Sequence, residues 1–122
     1  MKALLSLTFL GVALLQAQTP APTTAVLTSL TIKPGADRAE IQKTMPEEVR
    51  VTVRLYLDGK IQQWFARSDG KGVVFLVNAP TVAAAKAITD TLPLSKAGFA
   101  DFEYTPLSPL TPLRYLLGDQ HQ

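Results

Sequence analysis

Cysteine is absent from the 122-residue chain, and histidine occurs once, at His121. The first absence excludes disulfides, thiolate metal sites, cysteine nucleophiles and a lipid anchor on cysteine. The second excludes a metal site built from several imidazoles and leaves no serine–histidine pair for nucleophilic catalysis. Charge of one sign is missing too. Twelve Lys and Arg stand against ten Asp and Glu, a net of +2, and they are scattered along the chain. A nucleic-acid partner is therefore not expected, because binding one needs a concentrated basic patch. No apolar run reaches the roughly 20 residues of a membrane span, so no stable membrane anchor is expected. Asp69-Gly70-Lys71-Gly72 lacks the spacing of a phosphate loop, and no acidic loop has calcium-site spacing. No metal and no cofactor are expected.

What is present is the composition of one small globular domain, 47% hydrophobic with nine prolines and seven glycines. Its first segment, MKALLSLTFLGVALLQA (1–17), reads as a secretory signal. Lys2 is the positive start, 3–15 the apolar stretch, and Ala17 a small residue before a cut. The expectation is an exported, periplasmic or secreted protein cleaved after Ala17; an uncleaved anchor is the rival reading. Residues 18–24 are rich in Pro, Thr and Ala and read as a linker. The domain is expected over 25–110, followed by a C-terminal arm at 111–122.

Periodicity predicts a strand over 25–33, closed by Pro34-Gly35. Asp37 and Glu40 have capping-box spacing, which suggests a short helical turn. Residues 47–58 admit two readings. Val49, Val51, Val53, Leu55 and Leu57 alternate as in a strand, with Asp58-Gly59 as a hairpin turn. Val49, Val53, Tyr56 and Leu57 also mark a helical stripe, with Gly59 as its left-handed terminator. Alternation favours the strand. Further strands are expected at 61–67, 73–77 and 99–105, a turn at 68–72, and an Ala-rich helix over 80–91 that Leu92-Pro93-Leu94 ends.

Val73-Val-Phe-Leu-Val77 is apolar on both faces, and Trp64 and Phe65, being neighbours, point to opposite ones. A sheet covered by helices on one side normally shows polar residues on the other. Apolar residues there predict a subunit contact, hence a homodimer or larger homo-oligomer. Prolines 106, 109 and 112 and leucines 107, 110 and 113 recur every third residue, the pattern of a polyproline II segment with a leucine stripe. Such an arm either wraps a neighbouring subunit or packs on its own domain.

From Met45 to Leu110 the chain resembles the muconolactone isomerase-like family. Tyr56, Asp58-Gly59-Lys60, Trp64, the VVFLV strand, Leu92-Pro93-Leu94 and FEYTPLSPL (102–110) carry the resemblance. It implies an α+β, ferredoxin-like βαββαβ fold with a four-stranded antiparallel sheet and two helices on one face, paired into a dimeric α/β barrel. It also implies that 47–58 form the first helix. The activity it implies is cofactor-free isomerisation of a small lactone or unsaturated acid, by removing a proton beside a carbonyl and returning it elsewhere.

That chemistry needs a carboxylate over the substrate and a cation for a substrate carboxylate. Glu48 and Glu103 are the catalytic candidates; Glu40 and Glu47 are further carboxylates. Arg54 and Arg67 are candidate anion clamps, and Tyr56 and Trp64 could line a pocket for a flat ligand. Each has a plainer reading. An acid in a helix's first turn, as 47 and 48 would be, stabilises the dipole, and Glu103, facing away from Phe102 and Tyr104, would be solvated. His121, one residue from the end, argues against the haem-handling members of the wider fold. The alternative to an isomerase is a non-catalytic periplasmic small-ligand-binding or assembly module of the same fold.

Overall fold

The computed structural model describes residues 22–110. The signal at 1–17, most of the linker and the arm at 111–122 lie outside the described residues. The elements run β1 (Ala25–Ile32), α1 (Arg38–Leu57), β2 (Ile61–Ala66), β3 (Val73–Val77), α2 (Val82–Thr89), α3 (Pro93–Lys96) and β4 (Ala100–Leu107). The strands form one four-stranded antiparallel sheet in the order β2-β3-β1-β4. Helices pack on it to give an α+β, ferredoxin-like fold.

The core lies between helices and sheet. Val26 and Leu30 of β1, Phe75 and Val77 of β3 and Ile61 of β2 meet Leu55 of α1 and Ala85 of α2 there. Strand alternation then sends Leu27, Val74, Leu76 and Phe65 to the opposite face. No described helix covers that face, and Phe65 is 59% exposed.

Residues 47–58 are helical, so their alternation misleads. The helix also begins far earlier than the resemblance implies. Asp37 caps it, its carboxylate accepting from the Ala39 N–H, and it continues through Pro46. Proline has no N–H, so the Gln42 carbonyl loses its helical donor. The face that α1 buries is Glu48, Thr52 and Leu55, at i, i+4 and i+7. The stripe of Val49, Val53, Tyr56 and Leu57 lies beside it and stays exposed.

Smaller departures have local causes. Thr81, not Pro80, caps α2, its hydroxyl accepting from the Ala84 N–H. Leu92-Pro93-Leu94 ends α2 but also starts α3, with Pro93 in the first turn, where a missing N–H costs nothing. β4 continues to Leu107, taking Pro106 and Leu107 out of the polyproline II reading. β4 is an edge strand, which tolerates a proline.

One core residue is costly. The Thr28 hydroxyl is fully buried and has no hydrogen-bond partner. Thr28→Val keeps the shape and removes the orphaned group. It is expected to raise stability by about 1 kcal/mol in urea unfolding.

Candidate functional site

A cavity of about 140 Å³ lies between α1 and the sheet. Leu30, Val73, Phe75 and Trp64 form its sheet side, and Met45, Val49, Thr52 and Val53 its helix side. Leu94 of α3 closes one end, and Glu48 points into the same space.

Glu48 is only 5% exposed. Its carboxylate accepts a 2.8 Å hydrogen bond from the Leu94 N–H, a free donor at the first turn of α3. The ion pairs among the described residues join Lys33–Asp101, Lys43–Glu40, Arg50–Glu47, Arg67–Asp69 and Lys86–Asp90. None reaches Glu48. Burial pushes its carboxyl above the ordinary value of 4.5, and the Leu94 hydrogen bond only partly opposes this. A raised, desolvated carboxyl facing a cavity is the state a general acid–base needs near neutral pH.

The helix start changes the plain reading of Glu48. With α1 beginning at Arg38, the first-turn acid is Glu40. Glu48 is in mid-helix and does not serve the dipole. Glu47, its neighbour, turns outward and pairs with Arg50 at 2.9 Å.

The other candidates are divided by the sheet. Trp64 lines the cavity, and Tyr56 packs edge-on against it, with ring centroids 4.8 Å apart at 70°. Arg54 is exposed in the last turn of α1, where a cation favours the helix dipole. Arg67 lies just past the end of β2, which stops at Ala66, and is bonded to Asp69. The Asp69 carboxyl is held below its ordinary value by the Lys71 N–H and then by Arg67. Glu103 lies on the uncovered face of the sheet, in a shallow groove with Leu27, Ser29, Val74, Thr105 and Arg67. Glu48 and Glu103 are therefore on opposite faces of the sheet and cannot meet one substrate within a single chain. Neither Arg54 nor Arg67 lines the cavity.

Thr52 and the Leu94 N–H were not singled out from the sequence. Thr52 had a signal, being one helical turn beyond Glu48; its hydroxyl donates to the Glu48 carbonyl at 2.8 Å. Leu94 belongs to the Leu92-Pro93-Leu94 stretch, but nothing in the sequence pairs its N–H with Glu48, 46 residues away in the chain. Among the described residues no three His, Asp or Glu converge as a metal site, and no helix is long and apolar enough to cross a membrane. No family model matches the chain, and no curated protein matches it.

Proposed function

We propose that the protein is an exported, cofactor-free isomerase that moves a proton within a small carbonyl compound, a lactone or an unsaturated acid derivative, with Glu48 as the proton carrier. The observation that carries this reading is one carboxyl, buried and raised, in an otherwise apolar cavity. The resemblance of 45–110 to the muconolactone isomerase-like family supports it. Glu48 would take a proton from the carbon next to the carbonyl. The electron pair shifts along an adjacent double bond, and the same carboxyl returns the proton at the far carbon. Nothing is gained or lost overall, so one residue suffices. Substrates whose proton is flanked by both a carbonyl and a C=C are the easiest, since both groups delocalise the charge.

The test is proton NMR in deuterated water with a β,γ-unsaturated γ-lactone. Catalysed exchange at the carbon beside the carbonyl, lost in Glu48→Gln, supports the reading; exchange at an equal rate in the variant sinks it.

The rival reading is a binding or assembly module, in which Glu48 only ties α1 to the start of α3. Its support is the Leu94 hydrogen bond itself. The uncovered apolar face favours association under either reading. A dimer burying Leu27, Phe65, Val74 and Leu76 accounts for an apolar surface that water would otherwise meet. Phe65→Asp should then sediment as a monomer at a concentration where the parent is a dimer; an unchanged mass would remove this face from the interface.

A further inference from the structure

The cavity that holds Glu48 has no means of neutralising a second negative charge. Arg54 and Arg67, the cations best suited to hold a carboxylate, lie outside it. The polar groups at hand are already committed. The Leu94 N–H donates to Glu48, and the Thr52 hydroxyl donates to the Glu48 carbonyl. The remaining lining is apolar, with Leu30, Phe75, Val73 and Trp64 beneath and Val49 and Val53 at the side. A carboxylate placed there would lose part of its water, find no cation and sit beside a carboxyl that ionises.

Size restricts the ligand further. A dry cavity of about 150 Å³ takes a benzene-sized molecule. At about 140 Å³ this cavity holds a ligand of similar bulk, and it opens to solvent past Met45, Val49, Val53 and Trp64.

Resting on the reading of this cavity as the reaction site, we infer that it selects uncharged ligands of about benzene's size, neutral lactones or esters, and rejects the corresponding free acids. Charge, rather than shape, is the discriminating property. A charged substrate arm would be held best by an arginine, and both candidates lie elsewhere in the fold.

Trp64 is the single tryptophan of the chain and lines the cavity, so its emission reports occupancy without any need for turnover. The purified protein would be titrated at pH 7 with methyl but-3-enoate and, separately, with but-3-enoate. These share the unsaturated chain and differ in charge, and the ester is the larger. The expected result is saturable change with the ester and an affinity for the acid lower by on the order of tenfold or more. Equal or tighter binding of the acid overturns the inference, as does failure of the ester to perturb Trp64.

A second variant localises the effect. Val49 is 54% exposed at the cavity mouth, so Val49→Arg supplies the missing cation without filling the core. It should bring the acid's affinity up to that of the ester, and no gain for the acid counts against the inference. Proton exchange separates the two readings. A bound ester that exchanges no proton sinks the isomerase and leaves charge selection standing, whereas exchange on acid and ester alike does the reverse.

Discussion

Glu48→Gln is expected to melt at a higher temperature than the parent protein at pH 8, to melt with it near pH 4, and to exchange substrate protons about 10²- to 10⁴-fold more slowly. The stability part follows from linkage. Burial raises the folded-state value of Glu48 above the 4.5 of a free side chain. Below that value both folded and unfolded chains hold the proton, and the native state is not penalised. As pH rises through the folded value, the unfolded chain has already released its proton while the native one must bury a charge, and stability is lost. Glutamine carries no charge at either pH, so the loss disappears. Its amide oxygen still accepts from the Leu94 N–H, so the tie to α3 is kept. Glu48→Leu has no acceptor. It leaves that N–H unpaired and should cost about 1–3 kcal/mol at pH 4, where charge plays no part. Thermal melts of the three proteins at pH 4 and pH 8, beside exchange rates, separate a catalytic group from a structural tie. A group kept only for the tie would give Glu48→Gln full activity.

Gly72→Ala is expected to cost on the order of 3 kcal/mol or more, enough to unfold much of a marginal domain. Gly72 has φ +134°, a region side chains avoid, and a Cβ built there would lie 1.9 Å from the Leu30 carbonyl oxygen. That atom is backbone of β1, the strand paired with β3, so it cannot swing aside. The Arg67 N–H also donates to the Gly72 carbonyl at 2.9 Å, closing the β2–β3 connection. Gly70 is the comparison. It has φ +73° but nothing within 4 Å, so Gly70→Ala should cost only the left-handed conformation, about 1–2 kcal/mol. Urea midpoints of both variants measure the close approach directly. Similar losses would show that the strand can move away from Gly72.

The segment 47–58 shows how a pattern in the sequence can point to the wrong element. Val49, Val51, Val53, Leu55 and Leu57 alternate, and alternation is how a half-buried strand looks. In the helix, Leu55 packs into the core and Val51 against it, while Val49 and Val53 line the cavity and Leu57 faces water. Apolar residues serving both a core and a cavity occupy two faces of one helix, and two helical faces imitate the period of a strand. Glu48 was legible as a carboxyl candidate. Its burial is hidden by the expectation of a helix over 47–58, which puts Glu48 in the first turn; the helix instead runs from the Asp37 cap through Pro46.

Local physics, read from residues alone, determined the strands and the turns between them. Runs of β-branched and aromatic residues placed β1, β2, β3 and β4 to within a residue or two, and Gly-containing stretches such as 68–72 marked where the chain reverses. The same composition excluded disulfides, thiolates and a charged field. Tertiary structure alone decided which carboxyl is chemically unusual. The rotation of α1 on the sheet turns Glu48 inward and Glu47 outward, and the fold brings Leu94 from 46 residues away to hold it. Neither event is local. Helix rotation is set by packing against α3 and β2, and a carboxyl's affinity for its proton is set by how much water that packing removes.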